Sequence, residues 1–411
     1  MAKVPNRWLV AFSGVVIQLL LGTVYGWSVF KQPLMEAHGW SNVEVGFAFT
    51  ILIFFLGVTA AVGGRFVDKA GARNVARTAA VLFGLGTLIA GVADRIGSLW
   101  LLYAGYGVIG GIGNGLGYIT PIAVLIRWFP DKKGFVTGLA VMGFGFGAAL
   151  VGQLVPLLLP AAGIANTFYI LGVVFLVVLS LAARNLVNPP EGWKLPSTAK
   201  HSPRHAVTES VDFKGAAGMY QFYILWLVLF INVTAGIALI SNLSPMAQQQ
   251  MGVTAVAAGS IVFMASLCNG LGRLFWAWLS DRLGCRNVFL IILVSQAPLF
   301  FLLPKVTSVW LFIAMSCYIL ACYGGGFATM PSFAVDTFGP RNIGNIYGKV
   351  LLAWGMAGVT GPMMMEYIKK TSDSFSTAVA MAGGLLIIGV VLTSLYKRPV
   401  GRSDAGLKMS A

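Results

Sequence analysis

Long apolar stretches alternate with short polar connections along the whole chain. A helix needs roughly 20 consecutive apolar residues to cross a bilayer. Runs that meet this condition lie near 8–30, 43–64, 75–94, 98–126, 134–157, 164–183, 222–243, 254–278, 287–303, 308–330, 343–366 and 375–396. The pattern predicts an all-α membrane protein with twelve transmembrane helices. The ninth run is short and is interrupted by Pro298 and Pro304. The first is too long, and its flank too weakly charged, for a cleavable signal peptide. One segment breaks the rhythm. Residues 185–218 are polar and carry Pro189, Pro190, Pro196, Pro203, His201 and His205. They divide the runs six and six, which predicts a helical bundle over 1–184, a linker over 185–218 and a second bundle over 219–411.

Composition agrees with the pattern. The chain has 411 residues, 57% hydrophobic and 10% charged, against about 25% charged in soluble proteins. Its mean hydropathy is +0.83. So few charges cannot cover a water-soluble surface, so the lipid bilayer is the expected solvent. The 51 glycines suit close helix approach in a membrane. The net charge of +15 raises nucleic-acid binding, but that needs the charges gathered on one soluble face. Here they follow topology. Of 28 Lys and Arg, 21 fall in the termini and the even-numbered connections. The opposite loops hold Lys31, Arg95, Lys305, Lys369 and Lys370. The positive-inside rule then puts both termini in the cytoplasm of a multi-pass cell (inner) membrane protein. Cys268, Cys285, Cys317 and Cys322 lack metal-ligand spacing and read as small core residues. No metal site and no cofactor is expected.

The two halves repeat. "GGRFVDKAGARNV" (63–75) matches "AWLSDRLGCRNV" (277–288), with Asp68 and Asp281 standing 213 positions apart. Pro33 and Pro245 are 212 apart, and "WFPDKKGFVTG" (128–138) parallels "TFGPRNIGNIYG" (337–348). Three matches at one period indicate internal duplication into two pseudo-symmetric six-helix bundles, an architecture that binds substrate between the repeats at mid-membrane.

The repeated Gly-x-x-x-Asp-Lys/Arg-x-Gly-x-Arg loop resembles the signature of the major facilitator superfamily. Within it, "RWFPDKKGFVTGLAVMGFG", "NGLGRLFWAWLSDRLG" and "GPRNIGNIYGKVLLAWGMAGVTGP" resemble the branch of monocarboxylate transporters and oxalate–formate antiporters. The resemblance covers the whole chain. It implies a monomeric carrier of an L-lactate-like monocarboxylate anion, with a proton as the coupling ion. Its alternative is carboxylate exchange of the oxalate–formate type. The resemblance also implies that Asp68 and Asp281, with Arg73 and Arg286, form gates. Each Asp would accept from a helix N-terminus of the other repeat. The residues by themselves also allow a simple capping turn. Asn269 stands where animal monocarboxylate transporters carry Asp. Lys349 lies one residue out of register with the antiporter's eleventh-span Lys, a rotation of roughly 100° on a helix.

Arg273 is the sharpest chemical signal. A guanidinium at mid-span costs about 2.5–3.5 kcal/mol on insertion scales and cannot deprotonate. No Asp or Glu lies mid-span to pair with it. A substrate carboxylate held by two parallel hydrogen bonds would compensate it; snorkelling toward the loop is the alternative. Asn269 sits one turn earlier on the same face. Lys349, nearer its helix end, divides evenly between substrate contact and snorkelling. Tyr118, Tyr323, Phe327 and Tyr25 stand where the antiporter has cavity aromatics; any one of them is otherwise a packing residue. "GYGVIGG" (105–111) fits a dinucleotide fingerprint but lies inside an apolar run with no preceding strand, so it reads as helix packing, as does "GFGFG" (143–147). An enzyme is not expected, because no histidine lies in a predicted span and no nucleophile–base pair is visible. An ATP-driven pump would need a phosphate-binding Gly-x-x-x-x-Gly-Lys loop, and none is present.

Overall fold

The structure is a computed structural model that describes residues 6–190, 193, 210–372 and 375–399. His201, His205 and most of the linker lie outside the described residues. The described chain is helical throughout, and helix-start signals in the sequence set several ends. Asn6 and Ser41 accept from backbone N–H groups of the first turn, and Ser41 forms a capping box with Glu44.

Twelve spans follow in order. The first runs Arg7–Leu21, tightens to a 3-10 turn over Gly22–Gly26, and resumes over Ser28–His38. It therefore continues past the expected end at residue 30, because Pro33 is accommodated and the stop comes at left-handed Gly39. The second is Asn42–Ala70 and the third Ala72–Ile96. The fourth starts at Leu99–Leu102, widens to a π-helix over Tyr103–Gly110 and ends with Gly111–Trp128. The fifth and sixth share the helical run Lys133–Ala183, turned at Gly163 where φ is 78°. A short helix, Phe213–Ala217, precedes the seventh span, Tyr220–Met251. The eighth is Ala255–Leu283, the ninth Cys285–Leu302 and the tenth Val309–Phe338. The ninth helix passes through Pro298 and ends in a 3-10 turn over Leu303–Lys305. The eleventh, expected as one helix, is divided at Leu351 into Ile343–Val350 and Leu352–Ser372, because Trp354 N donates to Leu351 O in a tightened turn. The twelfth is Phe375–Leu395. Eleven of these runs are each long and apolar enough to cross a membrane, and the divided eleventh completes the twelve. The exposed large side chains include Phe12, Trp100, Leu157, Trp310 and Leu395, as a lipid-facing surface requires.

The duplication is visible in the backbone. Gly71 and Gly284, at matching places of the repeated loops, have φ, ψ of 83°, 144° and 85°, 147°. Only glycine adopts this conformation readily.

The halves meet along two seams, second span with eleventh and fifth with eighth. Small residues set the approach. Gly145 faces the Gly270 backbone, with 2.6 Å between a Cβ built on Gly145 and the Gly270 Cα, and Gly57 meets Gly355 likewise. At the end of the bundle where the described residues begin, at Asn6, and finish, at Pro399, here the terminal side, Gly64 lies against the carbonyl of Gly344 and Gly348 against that of Ala60. Any side chain at Gly64 overlaps that carbonyl. We therefore expect Gly64→Ala to part the seam at this end. Labelling of Ile346→Cys by a membrane-impermeant maleimide, in a cysteine-free background, should rise severalfold; unchanged labelling would show that the seam tolerates the methyl group.

Candidate substrate site

The site forms where the seams reach the middle of the membrane. Arg273 projects from the eighth span and is 1% exposed. Among the described residues it is the one buried side chain with a permanent charge. Its Nε donates to Asn269 Oδ1 at 3.2 Å, the partner expected one turn earlier. Its Nη1 donates to the Val141 carbonyl at 3.1 Å. Val141 belongs to the fifth span, so this bond joins the two halves. Phe144 and Phe327 cover the guanidinium, their ring centres 5.6 Å and 5.4 Å from Cζ. Nη2 closes no hydrogen bond of full geometry, although the Tyr25 hydroxyl lies beside the guanidinium.

Aromatic side chains from both halves close around it. Tyr25, within the tightened 3-10 turn of the first span, meets Tyr323 of the tenth, oxygen to oxygen, at 3.1 Å. Tyr323 packs edge-on to Phe327, one turn away, at 5.4 Å. Trp354 of the eleventh span stands at the centre. Its ring is 4.9 Å from Tyr118, 4.7 Å from Phe327, 5.6 Å from Phe144 and 6.3 Å from Tyr25. The Tyr25 hydroxyl also faces Arg273 and Trp354, yet Trp354 Nε1 closes no hydrogen bond of full geometry. Neither do the hydroxyls of Tyr118 and Tyr347, which face each other from the fourth and eleventh spans.

Matching supports hold the two central tyrosines. Gln18 of the first span donates to the Tyr118 carbonyl at 3.0 Å. Asn232 of the seventh donates to the Tyr323 carbonyl at 3.3 Å and itself accepts from Gln296 at 2.8 Å. Duplication has placed an amide of the first helix of each half against the fourth.

Chemically the site is rich in donors. An uncommitted guanidinium N–H, an indole N–H and phenolic hydroxyls converge inside rings that exclude water. Buried donors without partners cost about 1–3 kcal/mol each, more when charged, so the arrangement favours an anionic group that accepts from them. The rings supply apolar walls for a short carbon chain.

Arg273, Asn269, Tyr118, Tyr323, Phe327 and Tyr25 are thus brought together. Lys349 is not. Its Nζ donates to the Ala61 carbonyl at 3.5 Å and lies 4.9 Å from the Phe213 ring, toward the terminal side. Trp354, Phe144, Tyr347 and Val141 join the site without having been singled out in the sequence. A tryptophan deep in a span, rather than in the interfacial belt, was the available signal for Trp354.

At the terminal side, Asp281 Oδ2 accepts from Phe135 N at 2.9 Å, at the start of the fifth span in the other half. Arg286 donates to the carbonyls of Thr393 and Ser394, closing the end of the last helix, and Arg73 is exposed. The side chain of Asp68 lies outside the described residues. At its seam, Arg65 Nε donates to Asn345 Oδ1 at 3.1 Å.

Comparison with known proteins agrees with this architecture. The family model of the Major Facilitator Superfamily matches residues 10–217 and 225–408. The chain is 26% identical to the oxalate:formate antiporter of Oxalobacter formigenes, over 97% of this chain and 93% of that one. It is 21% identical to monocarboxylate transporter 14 of Mus musculus, over 93% and 88%. Among solved structures it resembles the human organic anion transporter MFSD10, with a TM-score of 0.74, 14% identity, and 95% and 100% of the two chains covered. The chain belongs to the Major Facilitator Superfamily and is a transport protein.

Proposed function

We propose that the protein carries small monocarboxylates of the L-lactate type across the cell membrane by alternating access, one proton accompanying each anion. The uncommitted Nη2 of Arg273, in a site whose other described polar groups are neutral, carries this reading. A carboxylate on Nη2, sharing Nη1 with or taking it from Val141, restores the bidentate geometry a guanidinium favours. Asn269 orients the guanidinium. Tyr118, Tyr323, Tyr25 and Trp354 offer hydrogen bonds to the remaining oxygens, and Phe327 and Phe144 enclose the carbon chain. One buried cation balances one negative charge. A dicarboxylate would call for a second, and Lys349 is engaged elsewhere. The bound anion also replaces the Arg273–Val141 bond across the halves, so occupancy acts on the interface that must part during transport.

Charge accounting motivates the proton. An anion entering alone against an inside-negative potential is opposed by about 2.3 kcal/mol per 100 mV. Among the described residues that surround Arg273 the polar groups are amides, phenols and an indole, with no Asp, Glu or His, so the substrate carboxyl is the natural proton carrier. The charge distribution of the loops supports a cytoplasmic terminal side. Asp281, and by repeat symmetry Asp68, then form a cytoplasmic gate, in which a carboxylate on a helix N-terminus is favoured by the helix dipole and is released on opening, while Arg286 holds the last helix of its own half.

Arg273→Ala should cost about 2–5 kcal/mol of carboxylate affinity, as expected for one partner of a buried charged pair, and Arg273→Lys should restore little of it. Titration calorimetry with L-lactate measures both, and wild-type affinity in Arg273→Ala would move the site elsewhere. Asp281→Asn should change the rate of labelled uptake more than equilibrium affinity; an unchanged rate removes it from the gate. In proteoliposomes, an inward proton gradient at clamped potential should drive accumulation of L-lactate. Accumulation only against a trans carboxylate would replace symport with exchange of the kind named for the Oxalobacter formigenes relative.

A further inference from the structure

The last residues of the linker are pinned to one half. Arg341 N donates to Ser210 Oγ at 3.3 Å, Val211 N to the Phe338 carbonyl at 3.0 Å, and Asn342 Nδ2 to the Val211 carbonyl at 3.1 Å. Ser210 and Val211 are thereby strapped across the turn between the tenth and eleventh spans. Asp212 then caps the short helix Phe213–Ala217 by accepting from Gly215 N at 2.8 Å. This sets the Phe213 ring edge-on to Phe222, ring centres 5.9 Å apart, and 4.9 Å from Lys349 Nζ. The ammonium is half-buried, held on one side by a ring face. On the other it reaches across the seam to the Ala61 carbonyl of the opposite half, at 3.5 Å. Beside it, Gly348 lies against the Ala60 carbonyl, the contact that brings the second span within its reach.

We propose that Lys349, Phe213 and the linker strap form a clasp that holds the terminal side closed and sets how often it opens. The Lys349–Ala61 bond exists only while the seam is shut. The cation–π contact with Phe213, by contrast, lies within one half and survives opening. The ring therefore acts as a rest that keeps the ammonium aimed at the seam. A contact made in one state alone shifts the equilibrium toward that state by its own free energy. Ala61 keeps its helical hydrogen bond when the clasp opens, so opening strands no backbone group. Lys349 thereby regulates the transport cycle from outside the substrate site. The clasp requires that the halves move, as in the reading above, but not that reading's substrate.

Spin labels on exposed Arg77→Cys and Asn287→Cys, one on the terminal side of each half, measure the opening directly in the full chain without native cysteines. Lys349→Met should raise the open-to-closed ratio by about three- to tenfold, the scale of one ordinary hydrogen bond, as a 3.5 Å contact warrants. Phe213→Leu should shift it in the same direction but less, and Lys349→Arg should stay near the parent. In the same variants L-lactate affinity should follow only the population change. If neither Lys349→Met nor Phe213→Leu moves the distance distribution, the clasp is overturned. A shift with Lys349→Met alone overturns the role of Phe213 and the strap. Loss of carboxylate binding in Lys349→Met without a distance change would return Lys349 to the substrate site. Because the distances are read without substrate, a wrong substrate assignment leaves this test intact.

Discussion

A positive charge that cannot be discharged, buried in the middle of a lipid-embedded protein, governs this structure. Arg273 is kept by four compensations. They are the Asn269 amide, a main-chain carbonyl from the opposite half, and two aromatic faces. None of them is a counter-charge. Each offsets part of the desolvation cost, and an unused N–H remains. The surroundings follow from that requirement. The aromatic cage excludes water, the polar supports Gln18 and Asn232 fix the cage tyrosines, and the fifth span must come close enough to lend its carbonyl. The glycine pair Gly145 and Gly270 permits that approach. A side chain at Gly145 would meet the Gly270 backbone and push the halves apart at the level of the charge, and one at Gly270 would displace the Phe146 ring.

The same economy makes the interface divisible. In lipid, apolar surface gains nothing from meeting another apolar surface, so association rests on close packing and hydrogen bonds. Both seams are built this way, with glycine against backbone and a few polar bonds, Asp281–Phe135, Arg65–Asn345 and Lys349–Ala61, at the terminal side. Such contacts are short-ranged. In the proposed cycle a small rotation of one half releases them together. A two-state carrier needs an interface of this kind, since it must be stable closed and inexpensive to open.

In the proposed cycle, substrate and gate are coupled at the Arg273–Val141 bond. That bond lies in the candidate site and in the interface at once. A carboxylate that draws the guanidinium away from Val141 alters the balance between the halves without any relay of intervening residues. Lys349 is set apart from this coupling. It lies on the same eleventh span as Trp354 and Tyr347, but the break at Leu351 separates it from Trp354, and it points to the seam and to the strap.

Much of this was legible in the chain. Apolar run length fixes the number of spans because the bilayer has a thickness, and the repeated loops expose the duplication because both copies need the same backbone turn, as Gly71 and Gly284 demonstrate. Arg273 and Asn269 were legible because a charge inside an apolar run must either snorkel out or be compensated, and a residue four positions earlier lies on the same helix face. The rest of the site was not. Trp354, Phe144 and Tyr347 are apolar or aromatic residues in apolar spans. In lipid both the outer and inner faces of a helix favour such residues, so periodicity does not separate cavity from surface. Val141 contributes a main-chain oxygen, which has no sequence signature at all. Lys349 carries the same charge as Arg273, yet its role rests on which carbonyl and ring lie within reach, and those come from residues 61 and 213. The chain alone determines what must be buried and what must be compensated; only the folded arrangement of distant helices decides which groups do the compensating.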